Sequence, residues 1–408
     1  MQARVRQQSR KQVARVSQQL AGTCCAMLQD HLLRLRSINE HPNRVVHYDQ
    51  LLTALLMGFF DPTVDSLRTL DTRTVTDASM LQSLSDLRLA RSTISDAINQ
   101  LPASALLPIM QQLLKRLPSD CSRPEIADLM SLKKRLLAID GSYFRVPADV
   151  LWALSHRRSN DKIGRQVRMD LHLDVLQFVP HSVQVSGEEN GSESAAFIAS
   201  LEADRIYLAD RNFIDFAFLR AVLKLNSDFV VRLKKSGPNT ELICDNLLTS
   251  DEAQAAVLSD QIVHLPGSAG CEGLGEQKLR IVTVFDPVRQ EPVRLLSSML
   301  DVPARLIGQL YRYRWSIELF FRWLKCVAKV KHLFSESSNG ISLQFYVVII
   351  ATLLMHLRTG HRPSVYTYVL LSSAAAGNLV VEKVPEALER IARERELERI
   401  RRAKKKNA

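Results

Sequence analysis

An α/β fold is predicted for the middle of this 408-residue chain, and three observations predict it. Residues 135–233 run strand, strand, strand, helix, strand, helix, strand, an order that calls for a central mixed sheet with helices on its faces. Two of the strands, RLLAID and RIYLAD, end in an acid, at Asp140 and Asp210. The segments on either side of this region carry helical rather than strand periodicity.

The first 20 residues hold Arg4, Arg6, Arg10, Lys11 and Arg15 and no acid. They read as a helical arm, either simply solvated or contacting phosphate. They lack the apolar stretch of a secretory signal. Residues 22–118 look helical, with Leu51, Leu52, Leu55, Leu56 and Phe59 at helical spacing, and Asp61-Pro62 breaks that helix. Within residues 83–101, LRLARSTISDAIN fits a helix-turn-helix with Ser92, Thr93 and Ser95 toward DNA, or an ordinary packed helix pair. LPSDCSR at 117–123 is a linker. Residues 1–122 are therefore expected to form a helical, DNA-binding N-terminal domain.

The core elements follow in order. Residues 135–140 form a short apolar strand. Residues 166–174 alternate, with Val167, Met169, Leu171 and Leu173 on one face and Arg168, Asp170, His172 and Asp174 on the other, the period of a half-buried strand. Residues 178–185 read as its antiparallel neighbour, 193–201 as a short helix, and 205–210 as a buried strand. Residues 213–225 read as an amphipathic helix and DFVVRL at 228–233 as a last strand. This is the order expected of a ribonuclease-H-like core, which still needs one more helix.

That helix comes late. Residues 235–300 carry separate strand signals, KLRIVTVF and PVRLLSSM, with glycine-rich turns at 266–275, and read as a β-rich insertion. Asp301 and Pro303 then signal a helix start, and one helix is expected from Pro303 to about Val330. The catalytic domain so defined spans 123–360. The apolar run at 345–355 is too short to cross a bilayer and reads as a buried helix. Residues 361–408 are expected to form a helical, basic C-terminal tail ending in RRAKKK, either a plain solvated surface helix or one whose basic end adds non-specific DNA affinity.

Composition narrows the chemistry. Apolar residues make up 46% of the chain, which supports globular cores. The net charge of +11 points to a polyanionic partner, of which nucleic acid is the usual one. Six cysteines without paired or zinc-like spacing fit a reducing cytoplasm and exclude a thiolate metal site.

The segment YRYRWSIELFFRWLK, residues 311–325, carries the chemistry. On one continuous helix, with Tyr311 as origin, Arg314 falls at about −60°, Glu318 at about −20° and Lys325 at about −40°. All four share one stripe. The rest of the surface (Ile317, Leu319, Phe320, Phe321, Trp323, Leu324 and Val327) is apolar, as on a buried helix. A buried carboxylate needs a partner. Arg314, four residues before Glu318, supplies one as a plain salt bridge. A site in which acids hold a cation and bases grip phosphate explains the whole stripe. Asp140 and Asp210, if their strands are neighbours, bring two more acids to the same end of the sheet. Three carboxylates without soft ligands favour Mg²⁺ or Mn²⁺.

The spacing Tyr311-x₂-Arg314-x₃-Glu318-x₆-Lys325 resembles the Y-R-E-K signature of insertion-sequence transposases of the IS-four type, which include the Tn-five-like enzymes. AIDGSYFRV around Asp140 and LADRNFID around Asp210 are similar to the contexts of that family's two catalytic aspartates. The resemblance covers about residues 130–360. It implies a transposase of the DDE class that cuts the ends of a mobile element and joins them to target DNA. Asp140 would bridge two metal ions, with Asp210 and Glu318 each holding one. Tyr311, Arg314 and Lys325 would contact phosphates, with Arg211 beside them. The implied partners are terminal inverted repeats, target DNA and a second copy of the chain, with no membrane.

In studied members of that family an aromatic residue of the insertion stacks on a flipped base. The insertion here has no tryptophan. Of Trp152, Trp315 and Trp323, each read as a core aromatic, Trp315 stands next to Arg314 and is the candidate for that contact. Two other readings stand beside the transposase: another ribonuclease-H-like nuclease, or an inactive, transposon-derived DNA-binding protein. Asp204 and Asp215 are the substitutes for Asp210 should its assignment fail.

Overall fold

The structure is a computed structural model that describes residues 25–38, 45–117, 129, 132, 134–157, 163–266, 274, 276–326, 333–360, 362–375 and 378–406. The basic arm, nearly all of the linker and most of the glycine-rich turn lie outside the described residues. The chain divides into two compact units, Met1–Pro118 with Arg322–Ala408, and Ser119–Phe321. The boundaries differ from those expected, because residues after 321 group with the N-terminal helices.

The first unit is helical. It begins with α1 (Cys25–Arg36), α2 (Tyr48–Phe60), α3 (Leu67–Thr76), α4 (Ala78–Ser83), α5 (Arg91–Gln100) and α6 (Leu107–Arg116). Sequence punctuation sets their ends. Asp61 closes α2 in an extended conformation, Ser66 caps α3 by accepting from Thr69 N, and Asp77 caps α4 by accepting from Met80 N. Between α4 and α5, Ser85 and Asp86 both adopt positive φ. Helix α5 buries Ile94, Ala97 and Ile98 and packs on α2 and α3.

In the second unit the strands are β1 (Arg135–Val146), β2 (Leu154–Arg157), β3 (Ile163–Asp174) and β4 (Val179–Ser186). After α7 (Glu193–Ile198) come β5 (Arg205–Ala209), α8 (Phe216–Lys224), β6 (Asp228–Arg232) and β7 (Glu241–Asp245). After α9 (Ser250–Gln254) come β8 (Val257–His264), β9 (Leu279–Asp286) and β10 (Glu291–Ser297), then α10 (Ala304–Tyr313) and α11 (Trp315–Cys326), whose residues from Arg322 on are counted in the first unit. One mixed sheet runs in the order β2-β3-β1-β5-β6-β10-β9-β8-β7, with β4 on β3. The strands at 166–174 and 178–185 pair as expected. The β-rich insertion is not a separate body. Strand β10 adds antiparallel to β6, so the insertion continues the central sheet.

The two faces of this sheet differ. Leu137, Ile139, Tyr207, Ala209, Phe229 and Val231 point to one face and pack with Phe197 of α7 and Phe218, Leu219 and Val222 of α8. Helix α10 covers the other. It contacts β5, β6, β9 and β10, and a Cβ on its Gly308 would press on Val284, whose place in β9 alternates with that of Ile281. Gly308 thus allows close approach of helix to sheet.

The insertion also anchors α10. Buried Arg280 of β9 makes a two-pronged pair with Asp260 of β8, with Nε–Oδ1 and Nη2–Oδ2 both at 2.7 Å. It donates further to the carbonyls of Met299 and Leu300 at the approach to the helix. Pro303, the N-cap, has no side chain to offer the first amides. Glu252 of α9 supplies the acceptor instead, taking Ala304 N–H at 2.9 Å.

The helix expected from Pro303 to Val330 is interrupted at Arg314, and its last four residues lie outside the described residues. Arg314 keeps right-handed helical backbone angles, but Arg314 N bonds Tyr311 O and Ile317 N bonds Arg314 O, at 3.1 and 3.2 Å. Both are three-residue bonds, so the turn is wound tighter than an α-helix. The angular spacing expected from Tyr311 to Lys325 therefore does not run through Arg314. Leu319, expected to be buried, is exposed.

The first unit is completed by α12 (Ser338–Thr359), α13 (Val365–Ala375) and α14 (Val384–Lys406). By length and composition α12 would cross a membrane. It is instead mostly buried and packs on α2, α5 and α6. Asn339, in its first turn, donates to Leu101 O at 2.8 Å and accepts from Ala103 N at 2.9 Å.

Candidate active site

The register of β1 and β5 sets the first two acids side by side. The strands are parallel, pairing Arg135 with Arg205 through Ala138 with Leu208. Continued by two residues, that register puts Asp140 beside Asp210. Both alternate with the residues of the α7–α8 face, so both belong to the face that α10 covers. Asp210 follows the last residue of β5 in extended conformation, and its side chain does not cap the short turn that follows. The two substitutes are occupied elsewhere. Asp204 accepts from Asn226 in a positive-φ turn, and Asp215 caps α8 and accepts from Ser194.

Helices α10 and α11 bring the remaining groups. Tyr311 lies in the last turn of α10, Arg314 at the junction and Glu318 in the first turn of α11. Arg314 Nη2 donates to Glu318 Oε1 at 2.6 Å, and its guanidinium lies over the Tyr311 ring at 5.6 Å. Burial works against the Arg314 charge, but Tyr311, Glu318 and Asp210 outweigh it and raise its pKa. Burial likewise raises the Tyr311 hydroxyl, and Asp210 adds to that. Trp315, read from the sequence as a core aromatic, is instead 42% exposed, whereas Trp323 is buried. Lys325 stands beyond Phe321 and groups with the first unit, so it is not counted among these residues.

Asp140 is pushed up to about 7, first by burial and then by the Glu193 carboxylate. Arg314 and the Gly141 amide, which donates to Asp140 Oδ1 at 2.9 Å, oppose the rise, and Glu318 adds to it. The Glu193 carboxyl is raised in turn by burial, against the pull of Arg168, with Asp170 and Asp210 adding repulsion. Asp140, Asp210, Glu193, Arg314 and Glu318 therefore share one electrostatic neighbourhood. Arg168 is committed to Asp170 by a buried pair at 2.6 and 3.2 Å.

Beside Asp210 and Glu318 opens a cavity of about 920 Å³. Arg211, Arg232, Lys234, Lys235, Arg289, Arg294 and Arg314 line it, with Trp315 at its wall and only Asp210, Glu291 and Glu318 as acids. A concave surface with this excess of positive charge suits a phosphate backbone.

Among the described residues, no three His, Cys, Asp or Glu side chains converge closely enough to hold a metal ion as they stand. Arg314 is bonded to Glu318 in their midst and supplies the countercharge. The donor set is nonetheless that of a hard divalent cation, all carboxylate oxygen. One of those oxygens, Glu193 Oε1, is buried without a hydrogen-bond partner.

The sequence reading did not find Glu193 or the cations of β6 and the β9–β10 hairpin. An acid in the first turn of a six-residue helix carries no signal beyond its favourable place there. Lys234-Lys235 was visible as a basic pair, but its place beside Asp210 depends on the pairing of distant strands.

The family described as Transposase DDE domain matches residues 131–354. A Geobacillus stearothermophilus protein assigned as the transposase of insertion sequence element IS5377 is 23% identical over 272 residues, 66% of this chain and 67% of that one. A Sinorhizobium fredii protein assigned as transposase y4zB is 24% identical, over 49% of this chain and 55% of its own length. A Synechocystis protein assigned as the transposase of insertion sequence element IS4SA is 22% identical, over 54% of this chain and 60% of its own. The matches thus span a little over half to two thirds of these relatives. Among solved structures, a piggyBac transposase synaptic complex with hairpin DNA aligns with a TM-score of 0.36 at 11% identity, over 91% of this chain and 78% of that one, too low a score to carry weight. The match across more than half of the sequence settles the family: the chain belongs to the family of the transposase DDE domain.

Proposed function

We propose that this chain cuts the ends of an insertion sequence and joins them to target DNA, through a ribonuclease-H-like core. The observation that carries the reading is the register that sets Asp140 beside Asp210 on the face where α10 and α11 bring Arg314 and Glu318. Asp140, Asp210 and Glu318 are the catalytic carboxylates and hold two Mg²⁺ or Mn²⁺ ions. When bound, such a pair activates the attacking oxygen and stabilises the leaving one.

The chain's own residues do the rest. At neutral pH Asp140 stands near its midpoint, so its carboxyl would release a proton in order to hold a cation. An incoming phosphate offers Arg314 a second anion and loosens its hold on Glu318. Tyr311 and Arg211 contact the backbone near the cut, and Trp315 presents an exposed ring to a base beside it. The cations of the cavity hold the strand leading away from the carboxylates. The partners are the terminal inverted repeats, target DNA and a second copy of the chain, since two ends are cut together.

The test is incubation of the purified protein with its own inverted-repeat DNA and Mg²⁺. End-specific strand cleavage is expected, and Asp140→Asn, Asp210→Asn and Glu318→Gln should each abolish it. Binding without cleavage by the wild type would point to an inactive DNA-binding protein. Degradation without end specificity would point to another nuclease.

A further inference from the structure

A buried carboxylate oxygen with no donor is costly, and proteins rarely keep one without a compensating charge. Glu193 Oε1 is such an atom. The cation that draws on it, Arg168, is already matched by Asp170 through two bonds. The Gly141 amide donates to Asp140 Oδ1 at 2.9 Å and only partly relieves Glu193, whose pKa stays raised. Moreover, Glu193 fills the place where a side chain at residue 141 would begin: a Cβ there would overlap its carboxylate. Only glycine lets the acid lie against β1, one residue from Asp140. Arg168 and the Gly141 amide draw on the Glu193 charge, but burial and the carboxylates of Asp170 and Asp210 outweigh them, and Glu193 in turn raises Asp140.

We propose that Glu193 is a fourth carboxylate of the active site, which supports the divalent cation at Asp140 through its charge from across β1. This inference rests on the metal-dependent reading of the site. Glu193 adds negative charge on the α7 side, opposite the side from which α10 and α11 bring Arg314 and Glu318. It thereby offsets Arg314, which alone would repel a cation.

The experiment measures Mn²⁺ binding by the full chain without DNA, from the spin-resonance signal of the free ion, with melting followed in parallel. Glu193→Gln keeps the shape and removes the charge. It should weaken Mn²⁺ binding about ten- to hundred-fold. In chelator it should melt no lower than the wild type, because repulsion has been relieved. Gly141→Ala, which displaces Glu193 by crowding, should weaken Mn²⁺ in the same direction. Asp140→Asn serves as the control that abolishes binding. If Glu193→Gln binds Mn²⁺ as the wild type does while Asp140→Asn does not, the proposal falls and the three-acid site stands. If the wild type binds no Mn²⁺, the metal-dependent reading falls with it.

Discussion

Arg314 and Glu318 are joined at 2.6 Å across the tight turn between two helices, and that bond holds the third acid of the site. The Arg314 side chain is 7% exposed and that of Glu318 34%, so the pair is neither fully buried nor a loose surface contact. The arginine also touches the faces of Tyr311 and Trp315, at 5.6 and 6.0 Å. Its role therefore combines charge, planar shape and ring contact, which a lysine cannot reproduce.

Arg314→Lys should accordingly lower cleavage of inverted-repeat DNA by about a hundred-fold, the usual cost of losing one charge-stabilising donor at a reacting centre. Melting should shift little, because the positive charge beside Glu318 is kept. Single-turnover cleavage assays and thermal melting check the two parts. A variant that cleaves normally would reduce Arg314 to a structural ion pair.

The pH dependence of stability should carry the signature of Asp140. Its folded pKa is raised to about 7 from an ordinary value of 3.8. Between those values the folded protein binds the proton and the unfolded chain does not. The group's stabilising contribution is thus fully present below pH 3.8 and is lost as pH rises through 7. In chelator the wild type should melt lower at pH 8 than at pH 5. Asp140→Asn should show a shallower decline, and the difference between the two curves isolates the residue from other raised carboxyls such as Asp49 and Asp174.

How much of this was legible beforehand depends on the range of the interaction concerned. Asp140 and Asp210 stood out because each closes an apolar run, a property of five or six neighbouring residues. Glu318 stood out because four-residue spacing ties it to Arg314. The turn at Arg314 had no signal, since YRYRWSIEL holds neither proline nor glycine. The insertion was legible as β-rich, but its bond to the sheet, β10 on β6, was not, because it joins residues more than 60 positions apart. The apolar character of α12 was legible, but its packing on α2, α5 and α6 was not, for the same reason of sequence distance. Glu193 was hidden because what distinguishes it, an oxygen without a donor beside Gly141, is a matter of packing.

The anchoring of α10 should be separable from the chemistry. Asp260→Ala leaves Arg280 buried without its partner and should cost about 3–5 kcal/mol. Glu252→Ala removes the acceptor of the first helical amide and should cost about 1 kcal/mol. Urea unfolding measures both. The milder variant should retain the fold yet cleave less, because α10 carries Tyr311 toward the site. Equal stability of Asp260→Ala and wild type would mean that the insertion does not hold this helix.

The cavity cations should be read out by salt rather than by chemistry. Lys234 and Lys235 follow β6 and line the cavity beside Asp210, and Lys235 is nearly fully exposed, with only a 3.9 Å contact to Glu291. Each lysine that neutralises a phosphate releases a counterion, so it adds about 0.9 to the slope of log affinity against log salt on duplex DNA. The double substitution Lys234→Ala with Lys235→Ala should therefore reduce that slope by about 2 and weaken binding similarly on inverted-repeat and unrelated DNA. Once DNA is saturating, cleavage should recover, because neither lysine is assigned to the reacting atoms. Fluorescence anisotropy across a salt series checks the slope. An unchanged slope would place the backbone elsewhere, and a cleavage defect persisting at saturation would draw the lysines into the catalytic machinery itself.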